Sequence, residues 1–398
     1  MSLLLTEKKR NDVLETMAKL IVDEKDVILS VNKEELDSYF GGDLAMFDRL
    51  KVDEAKIDGM ALSLKQLMAD ADPLGKELYN FTHENGINVI NKTAPFGTVL
   101  IIYESRPDVT VEAAAIAFKS GNKILLKGGK ESTKSNLKIV ELWHKALKTH
   151  DISTDWVTYL NYNRAETQDF LKNPTQKVDL IVPRGGEKLI AFVKENTSCP
   201  VIVSGRGNNF VYVDTEAGLG IALDIIVNAK TTKVSACNAV DKVLINDELI
   251  SKTSFVKNLI EKLKAADVKV FGDKVIAKFE DVNQIKNEAI WFEEFLDYKI
   301  VLGSVASTNE AIKIVNKYGG GHSASIITKN NKTAQNFMES VDSAAVYQNA
   351  STRFTDGGQF GLGGELAIST DKLHHRGPMG LQHLVTNKWY IFGDGQIR

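Results

Sequence analysis

Thr98-Val99-Leu100-Ile101-Ile102-Tyr103 is apolar from its second residue on, the pattern of a strand covered on both faces in a parallel sheet. Beyond it the chain settles into a regular alternation. Helices over 108–119, 131–148, 165–172 and 186–195 alternate with strands over 123–127, 156–160, 178–182, 200–203 and 210–213. Strands separated by helix-length segments imply an open parallel sheet with helices on both faces. Upstream, residues 7–82 carry apolar residues at three- and four-residue intervals, as in Val13, Met17, Leu20 and Ile21, and predict a helical lead-in. Ile87-Asn88-Val89-Ile90-Asn91-Lys92-Thr93 then alternates, one arm of a ribbon ahead of Pro95 and Gly97. Downstream, strands over 241–246, 299–303, 324–328 and 344–348 alternate with helices over 249–265, 307–317 and 332–340, which predicts a second α/β domain. The aromatic stretch 387–392 lies too near the end to nucleate a sheet and is expected to join one supplied elsewhere.

Composition narrows the function classes. With 398 residues, 43% of them hydrophobic, the chain is long enough for two or three domains with sizeable cores. A net charge of −3 gives no basic footprint for nucleic acid. The apolar start Leu3-Leu4-Leu5 is too short for a signal peptide, and no later stretch approaches membrane-spanning length. Cys199 and Cys237 are far apart and lack the Cys/His spacing that holds zinc or a redox pair, so no metal and a reducing cytoplasm are expected.

Chemistry concentrates at two kinds of place. Lys127-Gly128-Gly129-Lys130 and Arg184-Gly185-Gly186 follow predicted strands, where glycine admits a ligand near the backbone and a helix N-terminus favours phosphate. Each is also an ordinary tight turn, and neither is a complete dinucleotide fingerprint or phosphate loop. Between the two alternations lies Ala229-Lys230-Thr231-Thr232-Lys233-Val234-Ser235-Ala236-Cys237-Asn238-Ala239-Val240. Nearby positive charge lowers a thiol pKa and makes the nucleophilic thiolate available. A lone cysteine is usually a small buried hydrophobe, so residue type alone does not make Cys237 catalytic. The glycine-rich run 349–363 reads as a loop over a site or a mobile surface loop.

Long motifs resolve that ambiguity by likeness. Tyr103-Glu104-Ser105-Arg106-Pro107, Cys237-Asn238-Ala239, the run 349–363, the tail Ser369-Thr370-Asp371-Lys372-Leu373-His374-His375-Arg376-Gly377-Pro378 and the closing Gly393-Asp394-Gly395-Gln396-Ile397-Arg398 resemble the gamma-glutamyl phosphate reductase family, within the aldehyde dehydrogenase superfamily. The resemblance runs from the lead-in, through Asp48-Arg49-Leu50 and Asp72-Pro73-Leu74-Gly75, to the last residue. It implies an aldehyde-dehydrogenase-like α/β fold: two parallel-sheet domains and a small β oligomerisation flap. An NADPH-binding domain is expected over 1–83 and 98–228, a catalytic domain over 229–364, the flap over 84–97 and 384–398, and a return segment over 365–383.

The resemblance also implies a reaction. Cys237 would attack the acyl phosphate of L-glutamyl 5-phosphate, expel phosphate, and hold a thioester until hydride from NADPH gives L-glutamate 5-semialdehyde, a step of proline biosynthesis. Ser105 would assist the oxyanion beside the nucleophile's own backbone N–H, with Asn238 next to Cys237 in the catalytic set. Lys127, Gly128, Gly129, Lys130, Arg184, Gly185 and Gly186 would hold the cofactor. Lys130 stands where NAD users often carry a glutamate, which favours NADPH. Glu294, or its neighbour Glu293, would hold the nicotinamide ribose, and Arg106, His322 and Arg353 would contact substrate. The stretch Pro200-Val201-Ile202-Val203-Ser204-Gly205-Arg206-Gly207 lacks the water-activating glutamate of oxidising relatives, consistent with reduction. A homo-oligomer, dimer or tetramer, and functional coupling to glutamate 5-kinase are further implications.

Departures from the family pattern fall at Asp108, Ser204, Lys233-Val234, Ile314 and Ala324. Asp108 is expected to cap the helix that starts there. Two other readings stand beside this one: a related reductase of another acyl phosphate or acyl-CoA, and a non-catalytic homologue.

Overall fold

The computed structural model describes residues 5–42, 44–252 and 254–398, so the first four residues of the expected cofactor domain, with most of the apolar start, lie outside the described residues. The described chain forms two compact units. The first runs to Val203 and includes Gly361–Ala367 and Met379–Arg398, while the second comprises Ser204–Phe360 and Ile368–Pro378.

The first unit opens with α1 (Glu7–Asp23), α2 (Lys25–Asp37), α3 (Leu44–Leu50) and α4 (Glu54–Ala69). The Thr6 hydroxyl accepts from the Lys9 N–H and the Asp53 carboxylate from the Lys56 N–H, so α1 and α4 begin at side-chain caps. Val13, Leu14, Met17 and Ile21 of α1 are wholly buried, as the helical spacing requires. The lead-in does not stay helical to residue 82. Glu77–Thr82 is a strand, β1, paired antiparallel with β2 (Asn88–Pro95), and β2 pairs on its other edge with β16 (Val385–Phe392). The tail thus joins a sheet supplied far earlier in the chain, in a register that sets Trp389 opposite Asn91. All six residues of β1 are exposed, so no burial periodicity separated them from the helices before them.

The rest of this unit is β3 (Thr98–Tyr103), α5 (Pro107–Lys119), β4 (Lys123–Lys127), α6 (Thr133–Thr149), β5 (Val157–Tyr159), α7 (Arg164–Lys172), β6 (Leu180–Arg184) and α8 (Glu187–Asn196). Its strands are parallel in the order β5-β4-β3-β6. Val99 and Ile101 face a core with Phe118 and Trp143, while Leu100 and Ile102 face Phe170, Leu171 and Val193. Burial on both faces is why β3 reads as an unbroken apolar run. The strand expected at 200–203 is reduced to a single bridge, Val201 with Ile181.

The second unit contains β7 (Asn209–Val213), α9 (Leu219–Thr231), β8 (Val240–Asn246), α10 (Asp247–Lys252), α11 (Phe255–Ala265), β9 (Lys269–Gly272), β10 (Asn283–Gln284), β11 (Lys299–Val305), α12 (Thr308–Tyr318), β12 (Ser323–Ile327), α13 (Asn331–Ser340) and β13 (Ala345–Gln348). These strands form a parallel sheet ordered β10-β9-β11-β8-β7-β12-β13. The short strands β14 (Ala367–Ser369) and β15 (Gly377–Met379) pair with each other. The two compact units meet in sequence at 203/204, where β7 hydrogen-bonds to β8 and β12 rather than to β3–β6. The expected return segment, 365–383, is likewise divided, with 368–378 in the second unit. Alternation along the chain is the same on either side of residue 203, so only the long-range pairing reveals the seam.

Candidate active site

Parallel neighbours align their amino ends, and in the second unit that edge gathers Cys237 and His322, two of the expected site residues. β7, β8 and β12 are adjacent, so Asn209, Cys237 and His322 come from segments that enter the sheet side by side. Cys237 lies in the turn between α9 and β8, built from Ala236 N–H to the Lys233 carbonyl and Ala239 N–H to the Ala236 carbonyl. It is exposed and forms no disulfide. Of the two lysines just upstream, Lys233 is exposed and Lys230 is wholly buried, donating to Asp241 Oδ1 at 2.9 Å.

Three neighbours fix the turn. The buried Asn209 side chain donates through Nδ2 to the carbonyls of Gly207, Cys237 and Ala239, at 2.9, 2.8 and 2.7 Å. Its Oδ1 accepts from the Ser323 N–H at 3.0 Å, so one amide joins three loop segments. Gly207 lies against the turn so closely that a Cβ there would sit 2.7 Å from the Cys237 carbonyl carbon and 2.5 Å from Glu294 Oε1. Glu294 and the Cys237 backbone thus flank one glycine. Asn238, 6% exposed, donates to the Thr355 carbonyl at 2.9 Å and the Arg353 carbonyl at 3.3 Å, while its own carbonyl accepts from Thr352 Oγ1. The first part of the glycine-rich run is therefore anchored to the Cys237 turn.

His322 is 1% exposed and pairs through Nδ1 with Ser323 Oγ at 2.8 Å; Ser323 Oγ meets Thr355 Oγ1, which meets Tyr347 OH. Burial pushes the imidazole pKa down to about 4, so it is neutral near pH 7. Three side-chain atoms here are buried without a hydrogen-bond partner: His322 Nε2, Asn238 Oδ1 and Arg353 Nε. Arg353 is connected to Cys237 through Asn238, and His322 through Ser323, Thr355 and Asn238.

The first unit holds the remaining expected residues at the carboxyl ends of its strands. Lys127 ends β4 and donates to the Gly128 carbonyl; burial holds its ammonium below the usual lysine range, against the opposing pull of Glu131. Lys130 is exposed. Ser105 is buried and donates to Glu131 Oε2 at 2.6 Å, with its Oγ packed on Gly129. It sits among the glycine-turn residues, and its hydroxyl would have to leave Glu131 to serve an oxyanion. Arg106 pairs with Asp108 at 2.8 Å. Asp108 lies in the first turn of α5 but is not its cap: the N-cap is Arg106, which takes Asp108 Oδ2, and the buried Asp108 Oδ1 has no hydrogen-bond partner. Arg184 ends β6 and donates to the Leu366 carbonyl. The Gly186 N–H, at the start of α8, is met by Glu104 Oε1 at 3.0 Å, and Glu104 is held by Arg49 at 2.8 Å.

Asn209 and Gly207 did not stand out in sequence. The signal available was an asparagine pair, Asn208-Asn209, at the amino end of an apolar strand, next to a Gly-Arg-Gly stretch. Among the described residues, no group of three or more His, Cys, Asp or Glu could hold a metal ion, and no helix is long and apolar enough to cross a membrane.

Comparison with known proteins gives concordant results. A family model described as the aldehyde dehydrogenase family matches residues 4–276 and 286–389. Gamma-glutamyl phosphate reductase of Clostridium perfringens is 42% identical over 396 residues, covering 99% of this chain and 94% of that protein. The protein of the same name from Clostridium botulinum is 40% identical over 395 residues, covering 99% and 95%. The crystal structure of gamma-glutamyl phosphate reductase from Thermotoga maritima superposes with a TM-score of 0.95 at 36% identity, covering 99% of this chain and 95% of that one. An acetylating aldehyde dehydrogenase from Geobacillus thermoglucosidasius shares the fold, with a TM-score of 0.68 at 17% identity and coverage of 99% and 93%.

Proposed function

The chain belongs to the gamma-glutamyl phosphate reductases of the aldehyde dehydrogenase family, and from that membership we propose that it reduces L-glutamyl 5-phosphate to L-glutamate 5-semialdehyde in proline biosynthesis, with Cys237 as nucleophile. The observation that carries this reading is an exposed thiol on a turn held by Asn209, Gly207 and Asn238. The thiolate sulfur attacks the acyl carbon, forming the C–S bond as the C–O bond to phosphate breaks, and phosphate leaves with that electron pair. An acyl phosphate needs no strong acid for this step. The thioester on Cys237 must then be kept from water, and the stretch beside it, Gly205-Arg206-Gly207-Asn208, carries no carboxylate to activate one.

The cofactor on this reading is NADPH, which supplies the hydride. The residues fit it: cations Lys127, Lys130 and Arg184 stand with glycines at the carboxyl ends of β4 and β6. Lys130, exposed just beyond the glycine pair, suits a 2′-phosphate. Glu104, now on the Gly186 N–H, would have to yield that amide to a phosphate. After hydride transfer, the tetrahedral oxyanion on Cys237 collapses, the C–S bond breaks with its electron pair returning to sulfur, and the thiolate is regenerated as the semialdehyde leaves. Ser105 and the Cys237 N–H are the proposed oxyanion donors, Glu294 the ribose ligand, and Arg106, His322 and Arg353 the substrate contacts.

A nucleophilic thiolate suits a reducing cytoplasm. The three-stranded sheet exposes Tyr79, Phe81, Trp389 and Ile391, which suits assembly of a homo-oligomer. The labile acyl phosphate would favour coupling to glutamate 5-kinase. The test is the reverse reaction followed by nicotinamide absorbance. Phosphate-dependent reduction of NADP with L-glutamate 5-semialdehyde is expected, and dependence on coenzyme A instead would overturn the reading. Cys237→Ala should abolish turnover while NADPH still binds.

A further inference from the structure

Both residues flanking Glu294 are held by buried charges that the reaction itself does not use. Lys242, on β8 and wholly buried, donates from Nζ to the Glu293 carbonyl at 2.7 Å, and the same ammonium lies 3.9 Å from the centre of the Phe295 ring. Asp241, one residue earlier, accepts the Phe295 N–H on Oδ2 at 3.0 Å and Lys230 on Oδ1 at 2.9 Å. Lys230 in turn lies 5.7 Å from the Phe295 ring centre. Glu294 is thereby bracketed, its preceding carbonyl and its following amide and ring each fixed by the strand that starts three residues after Cys237.

We propose that Lys230, Asp241 and Lys242 are positioning residues that hold Glu294 beside Gly207 and in register with Cys237. This rests on the proposed role of Glu294 as the cofactor's ribose ligand. Apolar residues would fill the same space without the desolvation cost of two ammonium groups and one carboxylate. What the charges add is direction, since a carbonyl, an amide and a ring face each accept only one geometry. Burial pushes the Lys242 pKa down to about 7, with Lys230 adding to the fall and Asp241, Glu293 and Glu294 opposing it.

The experiment compares Lys242→Met, Glu294→Gln and the double variant by KM for NADPH, KM for the acyl substrate and melting temperature. Each single variant should raise the NADPH KM by about tenfold with the substrate KM unchanged, and the double variant should match the singles instead of reaching about a hundredfold. If Glu294→Gln weakens NADPH and Lys242→Met does not, or if the two effects multiply, the positioning role is overturned and the ribose assignment stands. An unchanged NADPH KM in Glu294→Gln sinks the ribose assignment, and the proposal with it. Should Lys242→Met not fold, Lys230→Met, which removes the cation that Asp241 accepts, carries the same comparison with Glu294→Gln.

Discussion

Gly207→Ala tests the closeness of the Cys237 turn to the segment that carries Glu294. Gly207 is not among the glycines with positive φ, so alanine can adopt its backbone and only space is at issue. The added Cβ would lie 2.5 Å from Glu294 Oε1 and 2.7 Å from the Cys237 carbonyl carbon, whereas real Cβ contacts stay beyond 3.0 Å. Glu294 can swing its carboxylate aside, but the Cys237 carbonyl is held by Asn209 at 2.8 Å, so backbone must move. Restoring ordinary contact needs a shift of about 1 Å, and a displacement of that size in a reacting group costs about a hundredfold in rate. The accompanying overpacking should cost about 1–3 kcal/mol of stability. The assay is kcat and NADPH KM for the purified variant, with melting temperature alongside. Gly220→Ala is the control: it lies in α9 with nothing within 4 Å of the added atom, and there alanine should stabilise by about 1 kcal/mol. If Gly207→Ala kept the parental kcat and NADPH KM, Gly207 would not be the spacer between Cys237 and Glu294.

Asn209→Asp should do more harm than Asn209→Ala. The carboxylate would face the carbonyl oxygens of Gly207, Cys237 and Ala239, and an unpaired buried charge costs about 3 kcal/mol or more. Equal kcat and melting temperature in Asn209→Asp and the parent would refute the brace. His322 makes stability pH-dependent with a definite sign. Its folded pKa, about 4, lies below the ordinary 6.5, so the native state binds fewer protons in that window, and stability is full above pH 6.5 and lost as pH falls towards 4. The shift corresponds to about 3 kcal/mol. Urea unfolding from pH 7 to 4 should show a shallower acid loss in His322→Asn than in the parent, and parallel curves would count against it.

What could be read along the chain was whatever local physics imposes on neighbouring residues. β3 announces itself because apolar cover on both faces demands consecutive apolar residues, and the glycines after β4 and β6 mark turns that any strand-to-helix passage there would need. Cys237 was singled out only through the motifs around it, since an exposed thiol and a buried one are the same letter. Everything set by a distant partner stayed hidden. β1 buries nothing of its own and becomes a strand by pairing with β2; β7 follows the first alternation without a break, yet its hydrogen bonds go to β8 and β12. Ser105 was placed correctly in the loop after β3, but its acceptor, Glu131, is fixed by how β4 lies beside β3, not by anything next to it in the chain. Asn209 is the sharpest case. An asparagine at the start of a strand has no distinguishing pattern, and its importance comes entirely from three carbonyls and one amide at 207, 237, 239 and 323, which meet only because β7, β8 and β12 are neighbours in the sheet. Cys237 is thus singled out by its motif, while the geometry that fixes its turn is a property of strand order.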